Sequence, residues 1–376
     1  MKFDLYPFEK LTRLLDGIEP STDYKPAVLT IGEPQFETPD FIQLALRDGS
    51  DLLKKYPKTA GETYLKKAQL DFVKKRFKVE LKDSELISTF GTREVLFNFP
   101  QFLLFDEKNP AIAFTSPFYQ IYKGAAQVSK ADIIYLNLTK ENGFKPDIND
   151  SRLKNANLVI LNFPNNPTAS VMSKTELQEW VKLALEYGFI LLNDECYSEI
   201  YCDTPQPSLL EASLAVGNDS FKNILVINSI SKRSSAPGLR SGFIAGDKDI
   251  LKEYLKYRTY VGVAVPLPLQ KAAAIAWSDE EHVAKSREIY RQNQELSCEI
   301  LGVKKSEATF YVWLEVDDDL EFTKSLYREK NVKVLPGSFL GYEGTRSAYV
   351  RIALVENSEK TKEILTRIKD FIKGTK

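Results

Sequence analysis

The stretch NSISKRSSAPGLRSGFIAGD, residues 228–247, places Lys232 directly after two serines, Ser229 and Ser231. Arg240 follows eight residues after the lysine. Burial and neighbouring positive charge lower the pKa of a lysine amine, and the neutral amine can then attack a carbonyl. An arginine can bind a phosphate through two hydrogen bonds, and serine hydroxyls add donors. The stretch therefore predicts a pocket for a phosphorylated aldehyde such as pyridoxal phosphate, although alone it also fits a basic turn that caps a strand.

Short apolar runs alternate with helical patterns through the middle of the chain. Several runs are apolar almost throughout, as expected for strands whose sheet is covered by helices on both faces. The clearest helix has a capping box at Ser173 and Glu176, and Gly188 can end it. The alternation predicts an α/β fold with a mainly parallel seven-stranded sheet between helices. The seven predicted strands are residues 85–89, 111–115, 132–137, 158–163, 189–194, 223–229 and 242–246.

The pattern changes near residue 268. A helical pattern over residues 269–301 leads into alternating strands and helices, which predicts a smaller α+β domain. Its predicted elements are strands at 310–316, 332–336 and 349–354, a helix near 321–330 and a final helix. We therefore expect a large domain over residues 37–275, and a small domain formed by residues 1–36 together with residues 276–376.

Polar side chains follow several of the predicted strands. Asp194 ends one strand, where a carboxylate would point into the crevice in which open α/β sheets bind ligands. There it could keep a pyridine nitrogen protonated. Tyr197 follows the same strand and Asn166 follows another, so both could hydrogen-bond a phenolate oxygen of the same ligand. Each residue alone could equally be a helix cap or part of a turn.

Two further strand ends add weaker signals. Tyr119 lies beyond one strand, where its ring could stack on a cofactor or simply join the core. Thr92 and Arg93 open a predicted helix, and free N–H groups at a helix start favour phosphate. A threonine before a helix is usually only a cap. The recurrence of such residues at strand ends favours one shared site.

Composition narrows the function classes. The 51 Lys and Arg residues balance 52 Asp and Glu residues, which gives no electrostatic footprint for nucleic acid or an anionic membrane. The single histidine, His282, argues against histidine metal sites and a Ser-His triad, and we expect it on an exposed helix. Three cysteines without zinc spacing predict no metal site. Without a signal-peptide pattern or an apolar run of about 18 residues, we expect a cytoplasmic protein.

The motifs Ser229-Ile-Ser-Lys232 and Gly238-Leu-Arg240-Ser-Gly242 resemble those of the class I/II aminotransferases, which are fold-type I pyridoxal-phosphate enzymes. The resemblance extends over almost the whole chain. It implies the PLP-dependent transferase fold, pyridoxal 5'-phosphate as the cofactor, and a homodimer.

The resemblance also implies roles for the residues at the strand ends. Lys232 matches the lysine that forms a Schiff base with the cofactor, and Asp194 matches the partner of its pyridinium. Asn166 and Tyr197 match the ligands of the ring oxygen, and Tyr119 matches the stacking aromatic residue. The matches to phosphate-binding residues are Ser229, Ser231, Arg240, Thr92 and the backbone of Arg93.

Three matches concern the substrate and the partner subunit. Gly32 corresponds to a residue near the substrate, as does Asn166, and Arg351 to the arginine that grips its α-carboxylate. Tyr56 resembles the tyrosine that reaches the partner subunit's phosphate. One departure is Ala169, which stands where the family usually has glycine and which lacks glycine's freedom at positive φ.

Longer blocks, among them SPFYQIYKGAA and DECYSEIY, resemble the N-succinyldiaminopimelate aminotransferases of bacterial lysine biosynthesis. The implied reaction is reversible amino transfer between N-succinyl-LL-2,6-diaminopimelate and 2-oxoglutarate. An aspartate or broad-range aminotransferase is the main alternative, followed by a PLP-dependent β-lyase or decarboxylase and by a non-catalytic regulator. The remote carboxylates of a succinylated substrate require further cations, for which Arg258 is a candidate if it is not a helix-surface residue.

Overall fold

The computed structural model describes residues 3–374. None of the helices within this range is both long and apolar enough to cross a membrane. The helices are α1 (Pro7–Leu14), α2 (Asp40–Asp48), α3 (Thr63–Phe77), α4 (Thr92–Leu104), α5 (Ile121–Val128), α6 (Lys174–Tyr187), α7 (Leu209–Ala215), α8 (Ile230–Arg233), α9 (Lys248–Val261), α10 (Leu267–Ser278), α11 (Glu281–Leu301), α12 (Asp319–Lys330) and α13 (Ser358–Gly374). The strands are β1 (Ala27–Val28), β2 (Leu86–Thr89), β3 (Ala111–Ser116), β4 (Asp132–Asn137), β5 (Leu158–Leu161), β6 (Ile190–Asp194), β7 (Ile224–Ser229), β8 (Gly242–Gly246), β9 (Tyr311–Glu315), β10 (Val332–Lys333), β11 (Leu335–Pro336) and β12 (Tyr349–Ala353).

The seven predicted strands form one sheet in the order β2-β8-β7-β6-β5-β3-β4. Neighbouring strands from β7 to β4 are all parallel, and β8 is antiparallel to both of its neighbours. The strand ends differ from the prediction by at most two residues. The predicted α/β fold with a mainly parallel sheet is confirmed.

The central strands are apolar because the sheet has a core on each face. Leu191 and Leu192 are adjacent in β6, both are fully buried, and they belong to opposite hydrophobic clusters. Side chains alternate between the two faces of a strand, so a sheet covered on both sides needs apolar residues at consecutive positions. This requirement accounts for the apolar runs in the sequence.

The capping box predicted for α6 is present. The Ser173 hydroxyl accepts a hydrogen bond from the backbone N–H of Glu176 at 3.2 Å, and the Glu176 carboxylate accepts one from the N–H of Ser173 at 2.7 Å. Gly188 ends the helix with a φ of 81°. Both ends of α6 are therefore fixed by local sequence, as expected.

The predicted strand at residues 332–336 is divided in the structure. β10 pairs in parallel with β1, whereas β11 pairs with β12, which also pairs with β9. The pairing of β1 with β10 brings the N-terminal segment against the C-terminal elements. The domain boundaries stay a prediction, and residues 1–2 and 375–376 of the predicted ranges lie outside the described residues.

The helical pattern over residues 269–301 forms two helices rather than one. α10 ends at Ser278, and the Asp279 carboxylate accepts a hydrogen bond from the backbone N–H of His282 at 3.0 Å, which starts α11. The expectation of an exposed histidine is also wrong. His282 is buried, with Nε2 2.9 Å from the Ser234 hydroxyl and its ring edge against Phe41.

Candidate active site

The carboxyl ends of β5, β6 and β7 open into a cavity of about 850 Å³. Two candidate site residues do not line this cavity: the side chain of Tyr56 is fully exposed in the described chain, and that of Arg258 is fully buried. The predicted residues that line it are Gly32, Thr92, Arg93, Tyr119, Asn166, Asp194, Tyr197, Ser229, Ser231, Lys232, Arg240 and Arg351.

The Lys232 amine lies inside the cavity. It donates a hydrogen bond to the carbonyl oxygen of Gly32. Burial lowers the pKa of this amine below its usual range, and the positive charges of Arg351 and Arg93 lower it further, whereas the Glu33 carboxylate opposes them. A lysine in this setting is shifted toward its neutral, nucleophilic form.

The residue that follows the lysine anchors its backbone. Arg233 is buried, and its guanidinium lies 4.9 Å from the ring centre of Phe72 and 5.2 Å from that of Trp277. It also donates a 2.7 Å hydrogen bond to the carbonyl of Ala276. Two aromatic faces and a helix carbonyl thus hold the segment that carries Lys232.

The Asp194 carboxylate is buried at the end of β6. It accepts hydrogen bonds from the backbone N–H of Cys196 at 3.3 Å and from the Tyr122 hydroxyl at 3.4 Å. Burial raises the pKa of Asp194 to about 6, because desolvation outweighs these hydrogen bonds. A cationic group placed beside this carboxylate would favour its ionised form.

Arg351 is buried without a carboxylate partner in the described part of the chain. Its guanidinium donates to Thr30 and, at 2.6 Å, to the side-chain oxygen of Asn166, and it lies 4.5 Å from the ring centre of Tyr311. Its Nε has no hydrogen-bond partner. Because leaving a buried donor unpaired is costly, this atom indicates a site for an anion.

The same contact fixes the orientation of the Asn166 amide. Its oxygen is occupied by Arg351, so its NH₂ group is the half left to donate to a ligand. The Tyr197 hydroxyl lies 2.9 Å from that of Tyr311, whose ring packs against Arg351. Asn166 and Tyr197 therefore bring two polar groups to the cavity near Arg351.

The start of α4 and Arg240 form a second place for an anion. Gly91 precedes α4 with a φ of 77°, and the first N–H groups of a helix have no partner within it. Arg240 donates to the carbonyl oxygens of Pro237 and Phe90 at 2.9 and 3.1 Å and has no ion pair within residues 3–374. A Cβ atom on Gly91 would lie 2.4 Å from the Arg240 guanidinium, so only glycine allows this approach.

The chain matches a family model for aminotransferase class I and II over residues 25–368. This chain belongs to the class I/II aminotransferase family. Members of the family depend on pyridoxal phosphate, so the predicted cofactor and the PLP-dependent transferase fold are confirmed.

Similar proteins carry more than one substrate name. The crystal structure of aminotransferase AspB from Helicobacter pylori has a TM-score of 0.96 and 51% identity, with 99% of each chain covered. An LL-diaminopimelate aminotransferase from Natranaerobius thermophilus is 33% identical over 364 residues, which is 91% of both proteins. An aspartate aminotransferase from Pyrococcus horikoshii is 27% identical over 387 residues, covering 98% of this chain and 94% of the relative.

The polar groups of this aminotransferase fit pyridoxal phosphate. The unpaired Arg240 and the start of α4 suit the phosphate, and the buried Asp194 carboxylate suits a protonated ring nitrogen. Lys232 lies in the same cavity. The phosphate and the protonated ring nitrogen thus have partners of opposite charge, and the aldehyde has an amine in the same cavity.

The expectation that Arg258 binds a remote substrate carboxylate is wrong. Arg258 is fully buried outside the cavity lining, and it binds the Glu94 carboxylate through two hydrogen bonds of 2.8 and 2.9 Å. It also donates to the carbonyls of Thr59 and Ser88. The alternative of a surface arginine is wrong as well, since the side chain forms a buried ion pair between α9 and α4.

The departure at Ala169 leaves the local backbone in a glycine-like conformation. Ala169 has a φ of 59°, in the left-handed region that disfavours a Cβ atom. The turn is held by Asn165, whose carbonyl accepts from the N–H of Ala169 at 3.1 Å and whose side chain accepts from the Thr168 hydroxyl at 2.7 Å. These bonds offset the strain.

Two residues at the site were not predicted. Tyr122 donates to Asp194 from the first turn of α5, and it follows the predicted site residue Tyr119 by only three residues. Tyr311 contacts both Tyr197 and Arg351, and it also excludes a side chain at Gly32, where a Cβ atom would lie 1.9 Å from its hydroxyl. No local pattern marks Tyr311, because its position depends on the pairing of β9 with β12.

The Arg258→Met variant should lose stability, since it leaves the buried Glu94 carboxylate without its partner. Removing one member of a buried ion pair costs about 3–5 kcal/mol. We expect a lower urea midpoint, followed by the circular dichroism of the purified protein.

The double variant Arg258→Met/Glu94→Gln is the matched control. It removes the buried charge as well, so it should be more stable than Arg258→Met alone. Equal midpoints for the single and double variants would contradict an ion-pair role for Arg258.

Proposed function

We propose that this aminotransferase transfers an amino group between N-succinyl-LL-2,6-diaminopimelate and 2-oxoglutarate. The products are N-succinyl-2-amino-6-oxopimelate and glutamate. The amine of the donor becomes a carbonyl and the carbonyl of 2-oxoglutarate becomes an amine, so no other reactant is needed. The observation that carries amino transfer is the buried, unpaired Nε of Arg351 in the cavity that also holds the Lys232 amine. The Arg351 guanidinium would bind the substrate α-carboxylate in the same cavity as the nucleophilic Lys232 amine.

One comparison supports a diaminopimelate-type amino donor. A relative at 33% identity carries the name LL-diaminopimelate aminotransferase. The second candidate is an aspartate or broad-range aminotransferase, which the aspartate aminotransferase from Pyrococcus horikoshii favours equally. We also propose a cytoplasmic location, where the proposed lysine pathway operates.

In this proposal five groups hold the cofactor ring and its attachment. Bound pyridoxal phosphate supplies an electron-accepting ring that stabilises negative charge at the substrate Cα. Asp194 keeps a proton on the ring nitrogen, and Asn166 and Tyr197 bind the ring oxygen. Tyr119 covers the ring, and Lys232 provides the point of covalent attachment.

The phosphate is held by separate groups. Arg240 gives it charge, and the N–H groups of Thr92 and Arg93 at the start of α4 give it the favourable end of a helix dipole. Ser229 and Ser231 add hydroxyl donors. These groups lie on segments that line one part of the cavity.

Lys232 moves the proton that amino transfer requires. Its amine would remove the proton from the substrate Cα and deliver it to the cofactor carbon on the other side of the substrate nitrogen, which requires one base that reaches both positions. The lowered pKa of Lys232 favours this role, since a charged ammonium cannot accept a proton. Arg351 and Gly32 orient the substrate, Arg351 through the α-carboxylate.

The Lys232→Ala variant should lose turnover while retaining the cofactor noncovalently, because the phosphate and ring contacts remain. Borohydride reduction of the wild-type holoenzyme, followed by digestion and mass spectrometry, should label the peptide that contains Lys232. A label on another lysine, or near-normal turnover of the variant, would contradict the assignment.

The amino donor can be tested by half-reactions of the wild-type holoenzyme. Single amino acids are added, and the cofactor absorbance is followed as it converts to the pyridoxamine form. We expect N-succinyl-LL-2,6-diaminopimelate and glutamate to react. Reaction of aspartate and glutamate without the succinylated substrate would exclude the proposed donor and favour the alternative.

We also propose a homodimer in which Tyr56 reaches the phosphate of the partner subunit. Tyr56 follows a short helical turn at Ser50–Lys54 and is fully exposed. Leu53 and Tyr260 are also largely exposed. An interface that covers these three side chains would remove their apolar surface from water.

Mixing two impaired variants tests this shared site. Tyr56→Ala should weaken each site from across the interface, whereas Lys232→Ala removes the lysine from its own subunit. Hybrids of the two variants contain one site with both residues intact, so unfolding and refolding them together should restore activity. No gain above the separately refolded variants would rule out the exchange of Tyr56 between subunits.

A further inference from the structure

The cavity has one cation that the proposed reaction does not use. Four positively charged side chains line it: Arg93, Lys232, Arg240 and Arg351. Lys232 is assigned to the chemistry, Arg240 to the phosphate and Arg351 to the α-carboxylate. Only the backbone N–H of Arg93 is assigned to the phosphate, so its guanidinium has no role in the proposed reaction.

The position of Arg93 leaves its guanidinium available. Its Nε donates a 2.7 Å hydrogen bond to the Tyr119 hydroxyl, and its guanidinium carbon lies 5.8 Å from the centre of the Tyr119 ring. Among residues 3–374, no acidic side chain forms an ion pair with it. The contact with Tyr119 fixes one edge of the guanidinium and leaves the two terminal nitrogens for a ligand.

The neighbouring residue explains why Arg93 has no acidic partner. Glu94 is next in α4, but its carboxylate is occupied by Arg258 through two hydrogen bonds of 2.8 and 2.9 Å. It also accepts from the backbone N–H of Phe90 at 3.0 Å and from the Tyr254 hydroxyl at 3.4 Å. A carboxylate with four donors is saturated, so it does not neutralise Arg93.

We propose that Arg93 determines specificity by binding a second carboxylate of the substrate, remote from the reacting carbon. The proposal rests on the proposed function, since it assumes that Arg351 takes the α-carboxylate. The terminal nitrogens of a guanidinium match the two oxygens of a carboxylate, and a charged hydrogen bond of this kind discriminates strongly against an uncharged group. The substrate class is therefore amino acids and oxo acids that carry a distal carboxylate, which includes glutamate, 2-oxoglutarate and the succinylated donor.

The experiment compares the binding of two unreactive acids to the holoenzyme, followed by the change in cofactor absorbance. Glutarate has a carboxylate at each end of a five-carbon chain, whereas pentanoate has one. Wild-type protein should bind glutarate more tightly. In Arg93→Gln, glutarate affinity should fall on the order of tenfold to a hundredfold, the range expected for a charged hydrogen bond, while pentanoate affinity stays within about twofold.

Two variants serve as controls. Arg93→Lys keeps the charge without the forked geometry, so it should recover part of the glutarate affinity. Arg328→Gln removes an exposed arginine of α12, outside the cavity lining, and should leave the affinities for both acids unchanged. Its result separates a local effect of Arg93 from a general loss of positive charge.

Three outcomes would overturn the proposal. They are equal affinity of the wild type for the two acids, an equal loss for both acids in Arg93→Gln, and no loss for either. A parallel measurement of pyridoxal phosphate affinity tests whether the side chain instead binds the phosphate, in which case Arg93→Gln would weaken the cofactor. Failure of the wild type to react with the succinylated donor would remove the proposed amino donor, but it would not change the glutarate comparison.

Discussion

The parallel alignment of β5, β6 and β7 is the constraint on which the site depends. Because these strands run in the same direction, their carboxyl ends meet at one edge of the sheet, and the residues that follow them share a cavity. Asn166, Asp194 and Lys232 are far apart in sequence but each follows or ends one of these strands. A register shift in any strand pair would separate groups whose chemistry requires proximity.

The charges at the site are arranged for ligands rather than for one another. Arg240 and Arg351 bond to carbonyl and amide oxygens, and Asp194 accepts from neutral donors. By contrast, the Glu94 carboxylate, which also lines the cavity, is paired with the buried Arg258 behind it. The free-energy cost of removing water from the charged cavity side chains arises when the protein folds. A ligand of opposite charge therefore binds to groups that are already desolvated and oriented.

Much of the sheet and the cavity lining could be predicted because both depend on local sequence. Apolar runs mark the strands, and polar residues directly after them mark the site, so Asp194 and Lys232 were found without tertiary information. The exposed position expected for His282 was wrong because its burial depends on Ser234 and Phe41, which are distant in sequence. The same limit applies to Arg258, whose partner Glu94 lies on another helix. Sequence periodicity carries no signal for such long-range pairs.

The packing of the Arg233 guanidinium against the neighbouring rings of Phe72 and Trp277 holds the main chain beside Lys232. Because these contacts hold the backbone next to Lys232, we expect the Lys232 amine to move by rotation about the bonds of its own side chain. The amine proposed as the base therefore has a fixed attachment point on the main chain, and the length of its side chain sets the range of positions that it can reach.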